Sequence, residues 1–222
     1  LALMCQIAHN LPVESAVQAR TGTTFWGMTL LRIGASIATG VVLNLILPQE
    51  MGMPIFTQTG IVAMNSIPDV LMAWLRSSIS ISLLITAIVF SLNLLYRLLE
   101  VYHIIPRLSN GVKPLLKVFG LPPSTSFLWL IGCIVGLAYG GALMIDQMKE
   151  GKVTRTEADL LNHHLAVSHS VLEDNLLFVA LGVSLWWILG TRLVLAMLVV
   201  WTRRGIIKLR SGGAFFTAKS QQ

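Results

Sequence analysis

Residues 77–95, with the sequence SSISISLLITAIVFSLNLL, form an uncharged and mostly apolar segment. A helix of about 20 such residues is long enough to cross the hydrocarbon layer of a membrane. Three further segments have the same character: Thr24–Leu47, Phe127–Ile145 and Leu176–Trp201. The sequence therefore predicts an all-α fold, a polytopic bundle of transmembrane helices.

The composition agrees with this prediction. Only 12% of the 222 residues are charged, whereas soluble domains carry about 25%. A soluble helix bundle would show a polar stripe along each helix, and these segments show none. The net charge of +6 comes from basic residues beside the apolar segments, where they anchor helices, so it does not indicate a nucleic-acid partner. The two cysteines, Cys5 and Cys133, lack the spacing of a metal site.

The distribution of charge predicts the orientation of the chain. The segment after Trp201 contains five basic residues and no acid, and Tyr96–Gly120 contains four basic residues and one acid. By the positive-inside rule we expect both to be cytoplasmic, with residues 96–120 forming a helix in the membrane interface. The loops Pro48–Asp69 and Asp146–Asp159 are acidic or balanced, and we expect them outside.

The loops alternate between the two sides of the membrane as predicted only if Leu160–Asn175 does not cross it. A continuous helix from Leu160 to Trp201 would also be about 63 Å long, twice the thickness of the hydrocarbon. We therefore expect a break within Ser168–Asn175 and a broken or re-entrant helix over residues 160–175. Pro12 predicts a second break, because proline removes a backbone donor.

A weak internal repeat appears when the sequence is shifted by 160 residues. The matched pairs are His9 with His169, Glu14 with Asp174, Gly22 with Gly182, Trp26 with Trp186, and Arg32 with Arg192. Three predicted spans separate the two copies, so we expect them to face opposite ways, as in the inverted-topology repeats of transporters. The chain then divides into a first repeat, which we expect to be N-terminally incomplete, an interfacial helix and a second repeat: residues 1–95, 96–120 and 121–222.

Ionisable groups at membrane depth are costly and mark functional sites. The predicted substrate-binding residues cluster around the two expected breaks: His9, Asn10, Glu14, His169, Ser170, Glu173 and Asp174. Arg32 and Arg192 either extend to the interface or pair with Glu14 and Asp174. A metal site is the alternative, since histidine and carboxylate groups suit Fe²⁺, Mn²⁺ or Zn²⁺. Its candidate ligands are His9, Glu14, His169, Glu173 and Asp174.

Several motifs carry a family resemblance. They are IAHNLPVESAVQ at residues 7–18, TGT at 21–23, FGLPP at 119–123 and HSVLED at 169–174. These motifs resemble the nucleoside-recognition, or Gate, family of bacterial inner-membrane proteins, in particular its stand-alone uncharacterised members. The resemblance implies a transport-type fold, a location in the bacterial inner membrane and a nucleoside-like solute.

These observations predict a membrane transporter or channel for a small polar solute, with nucleosides as the first class. Permeation of a divalent metal ion such as ferrous iron is the second hypothesis, and a non-transporting membrane scaffold subunit is the third. We expect no enzymatic activity and no cofactor, because the sequence contains no recognisable catalytic or phosphate-binding motif. The expected partners are the lipid bilayer, a small polar solute or ion and, for some such proteins, further copies of the same chain.

The predicted orientation can be measured by cysteine labelling. A single cysteine at position 219 should be protected from a membrane-impermeant reagent in intact cells, whereas one at position 50 should react, because basic segments stay in the cytoplasm. Labelling at position 219 would refute this topology and the inverted repeat that depends on it.

Overall fold

The computed structural model describes residues 1–46 and 66–219, with side chains up to residue 210. Every regular element in that part of the chain is helical. In order these are α1 (Ala2–Ala8), α2 (Leu11–Arg20), α3 (Phe25–Ile46), α4 (Ile67–Val101), α5 (Ile104–Val118), a 3₁₀ turn (Pro123–Thr125), α6 (Ser126–Ile134), α7 (Leu137–Lys149), α8 (Arg155–Ser168), α9 (Val171–Ala180) and α10 (Leu185–Lys219). Glu50 and most of the predicted outer loop Pro48–Asp69 lie outside the described residues.

Three of the described helices are long and apolar enough to cross a membrane: α3, α4 and α10 as far as Arg210. Their large apolar side chains point away from the protein, and Trp26 in α3 and Trp186 in α10 are 71% and 81% exposed. α4 buries none of its residues. Since apolar surface in water costs about 25 cal/mol per Å², this much uncovered surface requires lipid. The all-helical fold is therefore that of a membrane protein.

The predicted single span Phe127–Ile145 is instead two helices, α6 and α7. The chain turns at Gly136, whose φ is +102°, a value that glycine adopts readily and other residues do not. A β-carbon at this position would also lie 2.9 Å from the hydroxyl of Ser170. The prediction of one continuous span here was wrong, because the apolar pattern does not record the backbone angle of one glycine.

The predicted span Leu176–Trp201 also differs from the structure. α9 ends at Ala180 and α10 begins at Leu185, with a turn at Gly182, whose φ is +92°. The predicted interfacial helix at residues 96–120 is divided in a similar way, since α4 continues to Val101 and α5 begins at Ile104. Apolar composition located these membrane segments but not their ends.

The local structure of α1–α3 recurs 160 residues later. α2 and α9 have equivalent bounds, α1 and α8 end at the equivalent residues Ala8 and Ser168, and α3 and α10 begin at the equivalent residues Phe25 and Leu185. The packing recurs too, because α1 and α2 contact α3 as α8 and α9 contact α10.

The two helix breaks have the same backbone conformation. His9 and His169 are extended, and the residues that follow them are left-handed, with φ and ψ of 47° and 34° at Asn10 and of 45° and 39° at Ser170. The break expected within Ser168–Asn175 therefore lies at His169–Ser170. The break expected near Pro12 lies just before it, and Pro12 occupies the first turn of α2, where a missing backbone donor has no cost.

The apolar core surrounds α8. Leu161 and Leu165 of this helix are fully buried against Leu128 and Ile131 of α6. α8 starts with a capping box between Thr154 and Glu157, which satisfies the first free backbone donors of the helix. Its far end delivers His169 to the interior.

The turn at Gly22, which is equivalent to the turn at Gly182, can be tested by substitution. Gly22 has a φ of +107°, and a β-carbon there would lie 3.2 Å from Cγ of Arg155. We expect Gly22→Ala to lower the free energy of unfolding by about 1–3 kcal/mol, because a non-glycine residue is strained in this region. Gly34→Ala is the control, since nothing lies within 4 Å of that site. Thermal unfolding in detergent measures both, and equal stability of the two variants would contradict the turn geometry.

Candidate functional site

Breaking a helix leaves its last carbonyl groups without partners, and Arg32 binds those at the end of α1. Its Nε donates to the carbonyl of Ile7 at 2.8 Å, and its Nη2 donates to the carbonyl of His9 at 3.1 Å. The remaining nitrogen, Nη1, forms an ion pair with Glu14 in the first turn of α2. One guanidinium thus joins both sides of the break.

Arg192 makes the equivalent contacts at the second break. Its Nε donates to the carbonyl of Val167 at 3.2 Å and its Nη2 to that of His169 at 2.5 Å. Its Nη1 donates to Oδ2 of Asp174 at 3.2 Å. Each partner lies 160 residues after its counterpart at the first break, and each nitrogen has the same role.

Both arginine side chains are fully buried. A charge in a low-dielectric interior is tolerated only when it is paired and hydrogen-bonded, and the planar guanidinium satisfies several acceptors at once. The acids themselves lie at helix N-termini, where the helix dipole favours negative charge. Pairing with Glu14 and Asp174, rather than extension to the interface, is what the structure shows for Arg32 and Arg192.

The two breaks meet at a pair of histidines. The ring centroids of His9 and His169 are 5.1 Å apart. Glu14, itself buried, reaches both rings: its Oε1 lies 3.3 Å from Nε2 of His9, and its Oε2 lies 3.2 Å from Nε2 of His169. We call these three residues, His9, Glu14 and His169, the junction cluster.

The backbone fixes the orientation of both rings. Nδ1 of His9 lies 3.0 Å from the carbonyl of Gln6, and Nδ1 of His169 lies 2.9 Å from that of Leu165. A carbonyl oxygen only accepts hydrogen bonds, so each Nδ1 carries a hydrogen and Nε2 is the ring atom that faces Glu14. This is the arrangement that orients metal-binding histidines.

A third helix break lies against the second. The backbone N–H of Ser170 donates to the carbonyl of Gly132 at 3.0 Å, a group near the end of α6. Gly136, which starts α7, leaves the space that the Ser170 hydroxyl occupies. Ser170 therefore fixes the break in position, while Asn10 is exposed and contributes its left-handed backbone.

Two predicted site residues, Glu173 and Asp174, are not part of the junction cluster. Asp174 is held by Arg192. Glu173 is half-buried and lines a small cavity of about 30 Å³ together with Asn93 and Tyr96. Of the five candidate metal ligands, three therefore come together, and Glu173 and Asp174 are not among them.

Sequence reasoning missed several buried amides. Gln6 of α1 donates to the carbonyl of Asp174 at 3.2 Å and so joins the two breaks. Asn162 of α8 donates to the hydroxyl of Thr21 at 2.8 Å and accepts, through its backbone carbonyl, a bond of 2.8 Å from Gln18. Their signal is an amide within an apolar run, since a buried amide needs partners.

The fold and the junction cluster define a helical membrane protein with a buried polar centre. In keeping with this class, the chain is 30% identical over 204 residues to the uncharacterized membrane protein YvoD of Bacillus subtilis (strain 168). The aligned region is 90% of this chain and 64% of that protein, so the chain spans somewhat less than two thirds of its relative. No family model and no solved structure matches the chain.

The guanidinium contacts can be tested by conservative substitution. Arg32→Lys and Arg192→Lys should each lower the free energy of unfolding by about 1–3 kcal/mol, because an ammonium keeps the charge but leaves a buried carbonyl without a donor. Arg20→Lys, at an exposed position of α2, is the matched control. Thermal unfolding in detergent gives the comparison. A loss of stability in the control as large as in the other two variants would contradict the role that the guanidinium contacts of Arg32 and Arg192 have here.

Proposed function

We propose that this protein is a transporter or channel that moves a small polar solute across the membrane, and that the solute binds where the two helix breaks meet. The observation that carries the proposal is the junction cluster, a group of ionisable side chains, two of them buried, between broken helices and beside membrane-length helices. Broken helices that bring their ends to a polar site near the midplane are typical of secondary transporters.

We propose that the two copies run in opposite directions through the membrane, as in inverted-repeat transporters. In an inverted repeat, residues near the pseudo-twofold axis meet their own counterparts. The contact between His9 and His169, at 5.1 Å between centroids, has this character.

Nucleosides are the first solute class that we propose, on the resemblance of the two break motifs to the Gate family. Glu14 supports such a ligand chemically, because its carboxylate can accept hydrogen bonds from ribose hydroxyls. The proposal requires only binding and movement of the solute, and it assigns no catalytic step to the protein.

We further infer that the protein lies in the inner membrane with its C-terminal end in the cytoplasm. The basic residues at the end of α10 support this orientation, since such residues stay on the cytoplasmic side. α4 buries none of its residues, so its apolar surface is available to lipid or to a second copy of the chain.

Uptake measurements test the proposed function. In proteoliposomes that contain the purified chain, we expect His169→Ala and Asp174→Asn to abolish uptake of labelled uridine, because the first removes a ring of the junction cluster and the second removes the negative charge that pairs with Arg192. His163→Gln is the control, since His163 pairs with Asp159 away from the cluster. Circular dichroism should show native helix content in all three variants.

Two results would contradict this proposal. One is the absence of uptake of any tested nucleoside by the unmodified protein. The other is uptake that persists in His169→Ala at the rate of the control.

A further inference from the structure

We propose that the junction cluster binds a divalent transition-metal cation, with Nε2 of His9, Nε2 of His169 and the carboxylate of Glu14 as its ligands. One ligand atom from each residue lies within 4.8 Å of the other two. Ligands at about 2.0–2.2 Å from a common centre lie within about 4.4 Å of one another, so the set would draw together to hold an ion. The inference rests on the proposed function in that it takes the same place as the binding region.

The hydrogen-bonding pattern indicates a cation at this place. Each Nδ1 carries its hydrogen toward a backbone carbonyl, so Nε2 is the atom that each ring turns toward the carboxylate of Glu14. Nη1 of Arg32 is a donor to Oε2 of that carboxylate, and a cation bound by both Nε2 atoms and the carboxylate would offset the repulsion between their lone pairs.

One ion can bind both rings at once. Nε2 of His169 is buried and lies 3.2 Å from Oε2 of Glu14, an oxygen that also pairs with Nη1 of Arg32. Nε2 of His9 lies 3.3 Å from the other oxygen, Oε1. A metal ion among these atoms would bind a lone pair of each ring and an oxygen of the carboxylate.

The chemistry of the ligands selects the class of cation. Two imidazole nitrogens and one carboxylate suit Mn²⁺, Fe²⁺, Co²⁺ or Zn²⁺, whereas Mg²⁺ and Ca²⁺ prefer oxygen ligands alone. Arg32 neutralises the one carboxylate and so lowers the affinity of the site for any cation. An incomplete ligand set of low net charge suits an ion that must enter and leave.

The two copies of the repeat differ in whether their acid reaches the histidines. Aspartate is one methylene shorter than glutamate, and Asp174 contacts Arg192 but is not part of the cluster. Glu14 combines contact with Arg32 and contact with both rings. The extra methylene of Glu14 is what brings a carboxylate to the histidines.

Cobalt binding to the purified, tag-free protein tests this inference. We expect Co²⁺ to produce visible absorption bands that saturate at one ion per chain. Zn²⁺ should displace it and Mg²⁺ should not. His9→Gln and Glu14→Asp should weaken Co²⁺ binding at least about 10-fold, as the loss of a ligand or of its reach requires, while His163→Gln should bind as the unmodified protein does.

His9 is the histidine to change first, because its side chain is 39% exposed and its replacement leaves the core intact. The inference would be overturned by the absence of Co²⁺ bands, by displacement with Mg²⁺ as readily as with Zn²⁺, or by equal affinity in His9→Gln and His163→Gln. Binding is measured without a membrane gradient, so metal binding without uptake would refute the transport proposal alone, and uptake of uridine without metal binding would refute this inference alone.

Discussion

The interaction on which the rest of the structure depends is the fork that each buried arginine makes across a helix break. A broken helix inside a membrane exposes carbonyl groups that lipid cannot satisfy, at a cost of several kcal/mol each. Arg32 and Arg192 bind two such carbonyls and an acid at the start of the next helix. The breaks persist because these forks satisfy them.

The same forks determine which groups are left for a ligand. Each arginine neutralises the acid of its own break, so the charge of the interior is balanced before any ligand arrives. The backbone carbonyls at the ends of α1 and α8 take the Nδ1 hydrogens of His9 and His169. What remains at the centre is a pair of Nε2 atoms that face the two oxygens of Glu14. These groups suit a cation or a donor-rich solute.

The helices around this centre differ in length. α3, α4 and α10 are long and carry exposed apolar side chains, whereas α1, α2, α6, α7, α8 and α9 are short and adjoin the three breaks. The break between α6 and α7 contacts the break between α8 and α9 through Ser170 and Gly132. Unsatisfied backbone groups thus pair with one another instead of with water, which lets irregular backbone lie within a membrane protein.

The sequence by itself determined the helical membrane class, because runs of apolar residues need no tertiary information to be recognised. It also located the two breaks and their 160-residue spacing, since a long helix exceeds the membrane and a His, an acid and an Arg recur in order. Only the tertiary structure decided that the chain turns between two helices at Gly136 and at Gly182, because one positive φ leaves no trace in hydropathy. It alone selected His9, Glu14 and His169 from the candidate ligands. That selection depends on one methylene and on two carbonyl contacts, and such distances between remote segments are fixed by packing rather than by residue type.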